Sequence, residues 1–114
     1  MALNRALRLR KSSEFQRVRQ QGRRTTSRLL ILAWMPNDVG RLRIGFVVSK
    51  RISKHAVERN SIKRLLSEAI RPVLSALPAG MDIVLSARNP ATTADVYMFG
   101  QDIATLLQRA GLLS

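Results

Sequence analysis

Residues 50–71, KRISKHAVERNSIKRLLSEAIR, constrain the fold of this chain more than any other stretch. Seven basic side chains (Lys50, Arg51, Lys54, Arg59, Lys63, Arg64 and Arg71) stand against two acids, Glu58 and Glu68. From about Glu58 onward the pattern has a helical period. Ile62, Leu65, Leu66, Ala69 and Val73 recur at spacings of three and four, and Asn60, Arg64, Ser67 and Arg71 fall on the opposite stripe. One side of such a helix is buried while the other shows a row of cations and amides. A solvated face ordinarily mixes signs into pairs one turn apart; here only Glu68 is placed for that, beside Arg64 and Arg71. The nearly one-signed row points instead to a polyanion.

The chain has 114 residues, the size of a single domain spanning 1–114 with one core. It has no cysteine, which excludes a disulfide framework, a thiol nucleophile and a thiolate metal site, and fits a reducing cytoplasm. The longest apolar run, residues 29–35, stops at Pro36, far short of the roughly twenty residues that span a bilayer, so a soluble protein is expected. The first residues, MALNRALRLRKSS, have the Arg-rich, acid-poor look of a transit peptide. The basicity continues past them, and they are read as part of the mature protein. The net charge of +13 is uneven: residues 1–28 hold nine basic groups and one acid, whereas residues 72–114 hold two and three. One charged side and one ordinary side follow, with nucleic acid favoured over an anionic membrane surface.

Taken in order, Ser12 or Ser13 can cap a short first helix that carries Phe15 and Val18 on one face and stops at Gly22. Residues 29–34 and 43–49 read as strands, joined by a turn at Pro36 to Gly40 short enough for an antiparallel pair. The basic helix follows, with residues 50–57 as a lead-in turn, and ends near Arg71 or bends at Pro72 and runs on to about Leu77. Residues 82–87 form a further strand, and Thr92 or Thr93 caps a last helix built on Val96, Phe99, Ile103, Leu106, Leu107 and Ala110. The order α-β-β-α-β-α, with room for one extra short strand, predicts an α/β (α+β) two-layer sandwich.

Catalytic constellations are missing from the sequence. The one histidine, His55, sits among cations and is better placed for an accessory phosphate or backbone contact than for general-base work. Asp95 and Asp102 share a helix face, but one pair is too little for a two-metal nuclease site. Neither a base-and-orienter set around a serine nor a phosphate-cradling glycine loop is present. The few aromatics argue against base-by-base stacking: Phe46 and Phe99 read as core, leaving Phe15 and Trp34. Recognition is expected to rest on phosphate, sugar and RNA shape.

The run SKRISKHAVERNSIKRLLSEAIR resembles the signature of the bacterial ribonuclease P protein subunit, and LRLRKSSEFQRVRQQG, RIGFVVSK and MDIVLSAR resemble its neighbouring segments. The resemblance implies a ribosomal-protein-like sandwich with a left-handed strand–helix–strand crossover. It further implies a small monomeric subunit, one per RNA, of a cytoplasmic ribonucleoprotein that removes the 5′ leader of precursor tRNA. In that family the RNA is the catalyst and holds the magnesium. Carried over, Arg59, Asn60, Lys63, Arg64 and Arg71 fall on the RNA-binding motif, with Lys50, Arg51 and Lys54 in its lead-in. Phe15, Val18, Arg17 and Arg19 fall on the leader cleft. Ser61 and Ser67 stand where arginine is usual, and Arg19 and Ala33 where aromatics are common. An arginine restored at 67, on the open stripe, is therefore expected to tighten RNA binding more than one at 61. The rival reading is a structural RNA-binding protein of ribosomal type, with the same charge and fold and no role in tRNA processing.

Overall fold

The computed structural model describes residues 7–114. Helix α1 (Ser12–Gln21) is followed by strands β1 (Arg23–Thr26), β2 (Leu30–Pro36) and β3 (Arg43–Val47). Helix α2 (Ala56–Ile70), strand β4 (Met81–Ala87) and helix α3 (Val96–Arg109) complete the order. This is the expected α+β arrangement, with β1 as the extra short strand.

The sheet runs β1-β2-β4-β3, so β2 and β3 are not the antiparallel neighbours that their short connection suggested. β4 lies between them, antiparallel to β2 and parallel to β3. Ile83, Val84 and Leu85 of β4 are all fully buried, and a strand covered on both faces takes a central place. The parallel β3–β4 pair then needs a crossover, which α2 supplies.

Alternation along the strands divides the core in two. Leu30, Leu32, Ile44, Ile83 and Leu85 pack beneath Leu66 and Ile70 of α2 and Phe99, Ile103 and Leu106 of α3. On the opposite face Ala33 and Val84 meet Val18 of α1 and, ahead of that helix, Leu9. Trp34, next to Ala33, packs on the α2–α3 side as a one-residue step requires.

Two helix caps depart from expectation, while the end of α2 falls where expected. Glu14 Oε1 accepts from the main-chain N–H groups of Lys11 (3.0 Å) and Arg10 (3.1 Å), so a carboxylate reaching back, rather than Ser12 or Ser13, caps α1. Asp95 Oδ1 accepts from Met98 N at 2.8 Å and caps α3, while the Thr92 and Thr93 hydroxyls are spent inside a 3-10 turn, Asn89–Thr93. α2 ends at Ile70, and Pro72 rides in the first turn of a 3-10 segment, Arg71–Ala76, where its missing N–H does no harm. Gly22 does end α1, but for a steric reason: a Cβ there would stand 2.5 Å from Val18 O and 2.6 Å from Trp34 O.

Candidate nucleic-acid interface

α2 presents Asn60, Ser61, Lys63 and Arg64 to solvent and buries Ile62, Leu66, Ala69 and Ile70. Ser67, expected on the open stripe, is only 6% exposed. The helix wheel misplaced it because that side of α2 meets the edge of β3, where Ser67 faces a cavity it shares with Leu9, Phe15 and Phe46. Arg59 is partly committed to structure. Its Nη1 donates to the carbonyls of Ser53 and Lys54, both at 3.0 Å, and so clasps the turn that carries the exposed Lys50, Arg51 and Lys54. Arg71 lies 3.9 Å from Glu68, a half-exposed surface pair that contributes little.

A cavity of about 440 Å³ lies between α2 and the edge of β3, lined by Phe15, Gly45, Phe46, Lys63, Arg64 and Ser67 among others. A second hollow of about 350 Å³ adjoins it, sharing Phe15, Phe46 and Lys63 and adding Gln16 and Arg19 of α1. A third, lined by Gln16, Arg19, Gln20 and Arg24, carries on along α1 to β1. The three make one trough with cations along it and aromatic carbon at one end. Two groups of residues far apart in sequence, Phe15 with Arg19 and Lys63 with Arg64, meet in it. The other two residues expected in the cleft do not. Arg17 Nη2 donates to Pro36 O at 3.3 Å, away from the trough. Val18 is 0% exposed, so it seats α1 on the sheet and reaches no ligand.

Phe46, read as core from the sequence, is half-buried and lines the first two hollows. Gly45 beside it is a packing requirement, since a Cβ there would fall within the Phe15 ring.

Sequence reasoning also missed the group that fixes α1 to the sheet. Arg43 donates through Nε and Nη2 to both carboxylate oxygens of Asp82, at 2.8 Å each, and through Nη1 to Glu14 Oε2 at 2.7 Å. The Asn37 amide adds a 2.8 Å bond to Asp82 Oδ1. The Lys11 and Arg10 amides, with Arg43 adding its charge, hold the Glu14 carboxyl below the usual carboxylate range. The hydrogen bonds to Asp82 raise Arg43 further above its already high ordinary value. Asp102 is likewise occupied, accepting from Ser27 Oγ (2.5 Å) and Leu29 N (3.2 Å). Among the described residues no three His, Cys, Asp or Glu side chains come together as a metal site.

A cationic trough with an aromatic end, on a small α+β domain where Glu14, Asp82 and Asp95 are tied up in caps or ion pairs, defines a polyanion-binding protein. Comparison with known proteins specifies which kind: the chain belongs to the ribonuclease P protein family, whose profile matches residues 3–111. It is 45% identical over 112 residues to the ribonuclease P protein component of Chloroflexus aurantiacus, covering 97% of this chain and 82% of that one. To the corresponding protein of Roseiflexus castenholzii it is 39% identical, over 97% and 91% of the two chains. The solved RNase P protein of Staphylococcus aureus superposes with a TM-score of 0.84 at 28% identity, over 96% of this chain and 100% of that one. The Thermotoga maritima protein gives 0.78 at 25% identity, over 90% and 96%. The protein is thus a component of ribonuclease P, part of an endoribonuclease complex.

Proposed function

We propose that the trough is where this protein grips RNA. The exposed flank of α2 lies on the catalytic RNA, and the stretch along α1 takes the 5′ leader of precursor tRNA. The observation that carries this reading is the meeting of Lys63 with Phe15 and Arg19 in adjoining hollows, which gives a single strand of RNA a continuous path between the two partners. Chemistry belongs to the RNA. His55 stands alone at the start of α2, and Glu14, Asp82, Asp95 and Asp102 are each engaged in a cap or a bond to a neighbouring element. Magnesium, on the same reasoning, is held by the RNA: it favours sites built from oxygen ligands, and these carboxylates have little left to offer it. The working unit is one protein per RNA, in the cytoplasm; no helix among the described residues is long and apolar enough to cross a membrane.

The test is reconstitution. Purified protein added to a catalytic ribonuclease P RNA at low magnesium is expected to restore leader removal, and protein alone is expected to cleave nothing. Cleavage by rigorously RNA-free protein, or no gain on adding it to the RNA, overturns the assignment.

A further inference from the structure

Residues 72–114 hold only two basic side chains, Arg88 and Arg109, and both come to the same turn of the main chain. We propose that this turn, between β1 and β2, is a second contact for the phosphodiester backbone of RNA, separate from the trough, with Arg28, Arg88 and Arg109 as its phosphate-holding groups. The proposal rests on the RNA-binding reading above and adds a place and a mode of contact.

The turn is assembled from three parts of the chain. Arg88, just past β4, donates its main-chain N–H to Leu29 O at 2.8 Å and its guanidinium to Ser27 O. Arg109, at the end of α3, donates through Nη1 to Thr26 O at 3.2 Å. Two guanidinium groups are thereby held on the carbonyls of adjacent residues, and each keeps further N–H groups for a ligand. Arg28, in the turn itself, is exposed and makes no hydrogen bond or ion pair with a described residue. The carboxylate at this turn, Asp102, is spent on Ser27 Oγ and Leu29 N, and among the described residues no ion pair joins it to any of the three arginines.

Three cations against one occupied acid suit an anion. The planar fork of a guanidinium matches a phosphate, and anchoring one arm on a carbonyl removes side-chain freedom that binding would otherwise cost. None of residues 26–29 or 88–89 is aromatic, so a base finds nothing there to stack on. The contact is therefore with backbone, in duplex or single strand alike. It is also distinct from the trough. Phe15 and Arg19 belong to α1, whereas Arg109 comes from α3, packed on the opposite face of the sheet. The turn shares an end of the sheet with the Lys50–Lys54 lead-in, but β2 lies two strand spacings, about 10 Å, from β3. Catalytic RNA and precursor tRNA offer the same phosphates, and the experiment tells them apart.

Two measurements on the full chain, assembled with catalytic ribonuclease P RNA and precursor tRNA, test this. The chain has no cysteine, so Asn89→Cys can carry a single iron–EDTA group beside the turn, and Ser61→Cys can carry one on α2. Hydroxyl radicals released at position 89 are expected to cut RNA backbone at places distinct from the cuts made from position 61, and the molecule that is cut identifies the source. Cuts from 61 with none from 89, or the same cuts from both, overturn the proposal. No cuts from either position would overturn the functional reading beneath it as well. In the second measurement, Arg28→Gln, which breaks no bond within the fold, should flatten the slope of log affinity against log salt by up to about one. The triple variant with Arg88→Gln and Arg109→Gln should flatten it by about two, at roughly 0.7–0.9 for each phosphate contact. If the triple variant fails to fold, the single variant still decides. A slope equal to that of wild type for Arg28→Gln overturns the proposal.

Discussion

Arg43 and Asp82 stand opposite each other on the parallel strands β3 and β4, joined by two hydrogen bonds of 2.8 Å, with Asp82 only 1% exposed. Glu14 of α1 closes the group from above through Arg43 Nη1. The charges stay buried because each has a partner, and the same group sets where α1 lies on the sheet, and so the trough beside it.

Removing one member leaves an uncompensated ion. Asp82→Ala should therefore cost about 3–5 kcal/mol in urea unfolding, and the apolar pair Arg43→Met with Asp82→Leu distinctly less. A single variant within about 1 kcal/mol of wild type would mean that water reaches Arg43.

Glu14 makes stability depend on pH. Its carboxyl is held below the ordinary value in the folded state, so its contribution is complete above the unfolded pKa, near 4.3, and is lost as pH falls through the folded one. Glu14→Gln should cost roughly 1–2 kcal/mol at pH 7, since glutamine keeps an acceptor without its charge. The gap between variant and wild type should close in acid. A gap that stays constant from pH 7 to pH 2 would assign the effect to packing.

Two glycines should respond oppositely to alanine. Gly100, inside α3, has nothing within 4 Å of a new Cβ, and alanine there should add roughly 0.5–1 kcal/mol. Gly22 would drive a Cβ against two carbonyl oxygens and lose about 1–3 kcal/mol. Thermal melts of the two proteins settle both signs.

On α2, Arg64→Ala should flatten the slope of log affinity for catalytic RNA against log salt by up to about one, as one phosphate contact is lost. Arg59→Ala should also lower the melting temperature, because Arg59 holds two carbonyls of the preceding turn. An unchanged salt slope for Arg64→Ala would show that residue to be structural.

The burial of Ser67 reverses the order expected for restored arginines. Ser61→Arg adds an exposed cation and should tighten RNA binding with stability within about 0.5 kcal/mol of wild type. Ser67→Arg must thread its side chain through the cavity and should gain less. A larger gain at 67, in titrations at several salt concentrations, would place the RNA contact at the cavity mouth rather than on the open flank of α2.

The sequence by itself determined the parts of this protein that depend on neighbours along the chain. Period-three-and-four spacing located α2 and α3, the apolar runs located β2, β3 and β4, and the one-signed row on α2 pointed to a polyanion. Each is a local property, set by backbone geometry and nearby charge. Tertiary structure alone decided what depends on elements distant in sequence. β4 enters between β2 and β3, which a short connection could not reveal, because burial on both faces outweighs proximity along the chain. Arg43 and Asp82 look like ordinary surface charges until the parallel register sets them opposite each other. Ser67 sits on the polar side of an isolated helix and is buried only because α2 meets the edge of β3 with Leu9 and Phe15 beside it. Phe15 and Lys63 share a site because α1 and the crossover helix come together around the edge of β3, a meeting that local spacing cannot encode.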